Sequence, residues 1–137
     1  MKNNIIKNIN FIIHNKNNKI NEISFNGHSS GGAIANIASL DMSYIYENYN
    51  IKCFTFGAPR VGNKEFIDEY NKRIKNSLRL VNKNDIITYV PLPIIYTHNH
   101  KPVIITNHHS LISTSPSINI INYFRKVHSI STYIKNL

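Results

Sequence analysis

One cysteine, Cys53, and no tryptophan occur in 137 residues. A lone thiol cannot close a disulfide within the chain, so no disulfide framework holds this fold, and a reducing compartment is permitted. Cys53 lies in the apolar run Ile51–Phe56 and reads as a buried core thiol. Acidic side chains are also scarce: 7 Asp and Glu stand against 16 Lys and Arg, giving a net charge of +9. Such an excess favours anionic partners. The basic residues are scattered, however, with no block of five or six, and no nucleic-acid-binding signature accompanies them. Nucleic acid is therefore not expected; an anionic membrane surface suits the chain better, and a merely solvated basic surface is the leading alternative to both. No apolar run approaches the length of a membrane span. Lys7, Asn8 and Asn10 break up the first apolar residues before a signal-peptide core can form. The expected location is cytoplasmic or otherwise intracellular.

Glycine is sparse too, 5 in all, yet Gly27, Gly31 and Gly32 fall within one short stretch. There the apolar strand residues Ile23-Ser24-Phe25 run into Asn26-Gly27-His28-Ser29-Ser30-Gly31-Gly32-Ala33, and a helix-forming segment follows at once. Gly-x-Ser-x-Gly between a strand and a helix is the sequence form of a nucleophile elbow, a strained turn that exposes a serine hydroxyl. Gly27 and Gly31 supply positions without a Cβ beside the crowded turn, and Gly32 and Ala33 let the helix pack closely on its strand. The Ser30 N–H, at the helix N-terminus, is the expected oxyanion donor.

At 15.8 kDa the chain is expected to form one domain. Isoleucine spacing predicts a helix over 3–14, and the Asn/Lys-rich segment 15–19 reads as a turn. A strand over 20–26 leads to the elbow, and a helix runs from Ser30 to about Glu47 with Ala33, Ile34, Ile37, Ala38 and Ile45 inward. A second strand over 51–56 is followed by a surface helix over 63–75 that turns Phe66, Ile67, Tyr70 and Ile74 inward. A third strand covers 77–81, and Pro91 and Pro93 impose an extended loop. Residues 103–106 make a fourth strand, at an edge or as a hairpin arm. A Ser-rich loop over 110–119 precedes a partly helical end over 120–137. Alternating strands and helices give an α/β fold with a mainly parallel sheet. Its catalytic edge gathers the C-terminal ends of the strands.

A serine needs a histidine to take its proton and a carboxylate to orient that histidine. Asp41, Glu47, Glu65, Asp68 and Glu69 sit on helices away from that edge. Asp85 alone follows directly on a strand's C-terminal end. Chain order leaves five histidines open, His98, His100, His108, His109 and His128, while His28, beside Ser29, is expected to point elsewhere. The clustered histidines match no zinc spacing and no carboxylate joins them, so no metal or organic cofactor is expected.

Four ordered blocks resemble the class 3 lipases, the fungal-lipase-like branch of the α/β-hydrolases. Gly27–Ala33 is similar to the family's GHSLGGA elbow, and Thr55–Asn63 looks like its more specific TFGxPRVGN block. Arg79–Pro91 resembles RxVNxxDxVPxxP, and Val127–Tyr133 resembles the closing block that carries the histidine, with Val127 where an Asp is usual and the tyrosine shifted by one. The resemblance implies Ser29 as nucleophile, Asp85 as orienting acid and His128 as base, with His98 and His109 as fallback bases. It implies a partial α/β-hydrolase fold, shortened at its N-terminus. The family's second oxyanion donor lies upstream of the elbow, so either a longer gene or a partner chain would supply it, and an uncovered sheet edge with an apolar face is expected. Hydrolysis of lipid esters is the implied function, with Tyr89–Tyr96 as an acyl-chain rim or, alternatively, a core-packed loop. The rival is an inactive, lipase-like protein that binds lipid or membrane without turnover.

Overall fold

Three strands of apolar and β-branched residues, each followed by a turn and a helix, leave the chain few ways to pack. The computed structural model describes residues 2–15, 19–105 and 127–135. Its sheet runs β1 (Glu22–His28), β2 (Asn50–Phe56), β3 (Asn76–Asn82) and β4 (Pro102–Ile105), in that spatial order. Every neighbouring pair is parallel, with Ile23 opposite Ile51, Cys53 opposite Ser77 and Leu80 opposite Val103. The helices are α1 (Lys2–Ile13), α2 (Ser30–Ile45), α3 (Lys64–Arg73) and the short α4 (Ile130–Lys135), and a 3-10 turn covers Ile86–Tyr89. The fourth strand is thus a parallel edge, not a hairpin arm. Pro102 opens it, where a missing N–H is tolerated. The end of that predicted strand, the Ser-rich segment and half of the partly helical end expected over 120–137 lie outside the described residues, as do residues 16–18 of the predicted turn.

Because β1, β2 and β3 advance in one direction, right-handed crossovers place α2 and α3 on the same sheet face. The main core lies there. Leu40 and Met42 of α2, Tyr70 of α3, Ile74 just after it and Cys53 of β2 are buried, with Ile5, Ile6, Ile9 and Ile13 of α1 packed against them. Each such side chain contributes roughly 1.5–3 kcal/mol by leaving water. A smaller cluster on the opposite face joins Leu80, Ile105 and Tyr133, with Phe56 against it. α4 is thereby fixed across the strand ends.

Two expectations are corrected. The buried residues of α2 are Gly32, Ala35, Asn36, Ser39, Leu40, Met42 and Ser43, whereas Ile34, Ile37 and Ile45 are exposed. The reason is steric. A Cβ on Gly32 would lie 2.8 Å from the Ala58 Cβ and 2.9 Å from the Gly27 carbonyl oxygen, so only small residues fit between helix and sheet. Likewise β1 is the expected uncovered edge among the described residues, and the face opposite α2 is only partly apolar: Ser24 and Asn26 are exposed on β1, Leu78 and Val103 on β3 and β4.

Candidate active site

Ser29 sits between β1 and α2 at φ 57°, ψ −129°, a left-handed conformation that costs a non-glycine residue about 1–3 kcal/mol. The surroundings hold it there. Its N–H donates to the Phe56 carbonyl at 3.0 Å, and its own carbonyl accepts from Gly32 N at 2.9 Å and Ala33 N at 3.2 Å. A Cβ on Gly27 would strike the Gly31 carbonyl, so the close approach requires glycine at 27. Nothing lies near a Cβ at Gly31, so the space expected to demand glycine there is open. The Ser30 N–H, at the first position of α2, has no intrahelical acceptor.

Asp85 follows β3 and caps the 3-10 turn. Its Oδ1 accepts from Ile87 N at 3.0 Å and its main-chain carbonyl accepts from Thr88 Oγ1 at 2.7 Å. The carboxylate is fully buried and its Oδ2 accepts twice more, from Tyr133 OH at 2.6 Å and His128 Nδ1 at 2.8 Å. The other ring nitrogen, His128 Nε2, lies 2.7 Å from Ser29 Oγ. Residues 85, 128 and 29 are therefore linked in one unbroken hydrogen-bond chain.

Two residues that complete this arrangement carried no role in the sequence reading. His28 was expected to point away, yet its Nε2 donates to the His128 carbonyl at 2.6 Å and the two rings lie 4.7 Å apart. Strand alternation carries the signal: residue 28 shares the face of residues 24 and 26, opposite α2, where α4 arrives. Tyr133 stands out in the sequence only as a tyrosine shifted by one position. Its hydroxyl donates to Asp85 and accepts from Asn82 N at 3.0 Å, and burial holds its pKa above the usual phenol value, with the Asp85 bond adding to the effect. It stays a donor at any ordinary pH. Gly57, at φ +58°, leaves room for both, since a Cβ there would lie 2.6 Å from Asp85 Oδ2 and 2.8 Å from the Tyr133 hydroxyl.

The remaining histidines are elsewhere. His98 Nε2 donates to the Thr88 carbonyl at 2.6 Å, and His100 Nε2 meets the Ile74 carbonyl at 3.1 Å. His98 therefore does not stand in as the base; His108 and His109 lie outside the described residues.

The family model described as Lipase (class 3) matches residues 1–94. The chain belongs to the class 3 lipases. Among curated relatives, it is 39% identical over 70 residues to phospholipase A(1) DAD1 of Arabidopsis thaliana, a match covering 50% of this chain and 16% of that protein. It is 41% identical over 66 residues to the secreted mono- and diacylglycerol lipase MDL2 of Malassezia globosa, covering 47% of this chain and 22% of the relative. Among solved structures, a triacylglycerol lipase whose catalytic centre is formed by a serine protease triad superposes with a TM-score of 0.64 and 25% identity, over 78% of this chain and 40% of that one. The matched part of the chain thus spans 16% to 40% of the length of these relatives. Its parallel sheet with flanking helices is the α/β-hydrolase-like fold of this lipase family.

The end of the 3-10 turn and the loop after it are exposed, with Tyr89, Leu92, Ile94 and Ile95 open to solvent and Ile94 85% exposed. A core-packed loop is therefore not what is found. Arg60 ties the loop down through the Tyr89 and Pro91 carbonyls. No helix among the described residues is long and apolar enough to cross a membrane.

Proposed function

We propose that this chain is a serine hydrolase of lipid esters, with Ser29 as nucleophile, His128 as base, Asp85 as orienting acid and the Ser30 N–H as oxyanion donor. The observation that carries this reading is the continuous chain from Ser29 Oγ through both His128 nitrogens to Asp85. Family membership and the relatives' lipid-ester names supply the substrate class.

Ser29 Oγ forms a bond to the ester carbonyl carbon as His128 Nε2 accepts its proton. Asp85, accepting from Nδ1–H, fixes the ring and stabilises the imidazolium. The tetrahedral oxyanion accepts from the Ser30 N–H. Collapse breaks the carbon–oxygen bond to the alcohol, which takes the proton from His128. Water then attacks the acyl-serine while His128 takes one of its protons. A second collapse frees the carboxylic acid and returns that proton to Ser29. The exposed apolar residues from Tyr89 to Tyr96 offer an acyl chain a surface beside this site.

The test is hydrolysis of a short-chain p-nitrophenyl ester by the chain and by Ser29→Ala. Turnover is expected in the first and essentially none in the second, because an interdependent triad loses nearly everything with its nucleophile. Equal activity in both would reject the assignment. The exposed loop also favours a second reading, lipid binding without turnover. Vesicle binding by a chain that hydrolyses nothing would select it.

A further inference from the structure

A cavity of about 140 Å³, with a largely apolar lining that basic side chains interrupt, opens on the helix-bearing face of the sheet between the loop 88–98 and strands β3 and β4. Arg79 of β3 lines it with 6% of its surface exposed, and Arg60, Lys83 and His98 complete a wall rich in cationic and imidazole groups. The guanidinium of Arg79 has a buried Nε with no hydrogen-bond partner. Its register neighbour on β2, Thr55, has a buried Oγ1 in the same condition.

No acidic side chain among the described residues acts as the counter-ion of Arg79. All 7 acidic side chains lie among the described residues, and the ion pairs they form go to Lys2, Lys52, Lys64, Lys72, Arg73 and His128, never to this cluster. Burial and the nearby Arg60 charge hold the Arg79 pKa down to about 10; burial and then the Arg79 charge hold His98 down to about 4. A cavity carrying this much unopposed positive charge favours an anion. A buried cation without a partner is costly, and an anion supplied from outside removes that cost.

We propose that this cavity binds a phosphate group, presented by the headgroup of an anionic phospholipid. The Arg79 guanidinium and the Lys83 ammonium, with Arg60 adding charge while it holds the loop through Nη1, match an oxyanion with several acceptor oxygens better than a single carboxylate. The lipid source follows from the neighbours: Ile104, 56% exposed, and Tyr89, 57% exposed, line the same cavity, and the apolar loop through Leu92 and Ile94 continues from it. The inference goes beyond the hydrolase reading and does not depend on Ser29 being reactive.

The experiment therefore uses the full chain carrying Ser29→Ala, so that no lipid is consumed and binding alone is read. Inorganic phosphate is titrated against the thermal unfolding midpoint and against the His98 imidazole resonance. In parallel, flotation is compared on phosphatidylcholine vesicles with and without phosphatidic acid. A saturable rise in the midpoint and an upward titration of His98 are expected. Lys83→Gln, at an exposed position, is expected to weaken phosphate about threefold, the size of a surface charge contact. Arg79→Gln is expected to weaken it about tenfold or more, as loss of a charge-assisted hydrogen bond does. It should leave the ligand-free chain no less stable, because a buried unpaired charge is removed. Preference for phosphatidic acid vesicles, competed by phosphate, supports the headgroup. A phosphate response without vesicle preference supports free phosphate and overturns the lipid source. No response to either ligand, or responses unchanged in both variants, would overturn the site.

Discussion

Two buried polar clusters lie on either side of the 3-10 turn at Ile86–Tyr89, and they differ in how their polar atoms are satisfied. Around Asp85, both carboxylate oxygens, both His128 nitrogens and the Tyr133 hydroxyl have partners within the chain. Around Arg79, the guanidinium Nε has none, and the cluster holds no carboxylate. A satisfied cluster is rigid in advance of any substrate, which is what transition-state stabilisation requires. An unsatisfied one stores a cost that only a ligand relieves. One short turn thus separates a cluster whose polar atoms are paired from one that keeps a buried guanidinium Nε without a partner.

The sharpest way to break this comparison is Asp85→Asn. It keeps the volume but exchanges an acceptor for a donor opposite His128 Nδ1. By analogy with the serine-protease template, turnover should fall about ten-thousandfold with little change in fold. A loss below tenfold, measured as ester hydrolysis, would mean that the cluster's order is not used for catalysis.

Gly57→Ala tests the same order through the backbone. A methyl group at φ +58° would meet Asp85 Oδ2 and the Tyr133 hydroxyl, so a loss of about 3 kcal/mol or more is expected in denaturant unfolding. Tyr133→Phe removes one donor to Asp85 and the acceptor of the buried Asn82 N–H, and should cost about 1–3 kcal/mol. If either variant were neutral, the tight packing around Asp85 would be dispensable.

The pH-dependent effect belongs to the Arg79 side. His98, with its folded pKa near 4, is more acidic than an unfolded histidine near 6.5. The unfolded chain then binds more protons between those values, so His98 stabilises the fold above pH about 6.5 and loses that contribution as pH falls towards 4. Unfolding midpoints measured across this window should drop towards acid, and His98→Gln should flatten the slope. An unchanged slope would remove His98 from the explanation.

Much of this organisation was legible before the structure. Asp85 could be found because a parallel sheet collects its working groups at the C-terminal strand ends, and only this carboxylate followed a strand directly. Ser29 was legible because its strain demands small neighbours. His128 could not be separated from the other histidines by chain order; only its resemblance to a family block singled it out. The α2 face was misread because apolar periodicity assumes large residues point inward, whereas the close helix–sheet approach at Gly32 and Ala58 reverses that rule. His28 was missed because its partner lies 100 residues away, a contact no local pattern encodes.

Covalent labelling of Ser29 by a fluorophosphonate probe tests the central proposal most directly, because it requires an activated serine but not many turnovers. The chain should label at Ser29, Ser29→Ala should not label, and His128→Ala should label far more slowly. A folded chain that fails to react, or that labels equally well without His128, would contradict a working Ser29–His128–Asp85 triad.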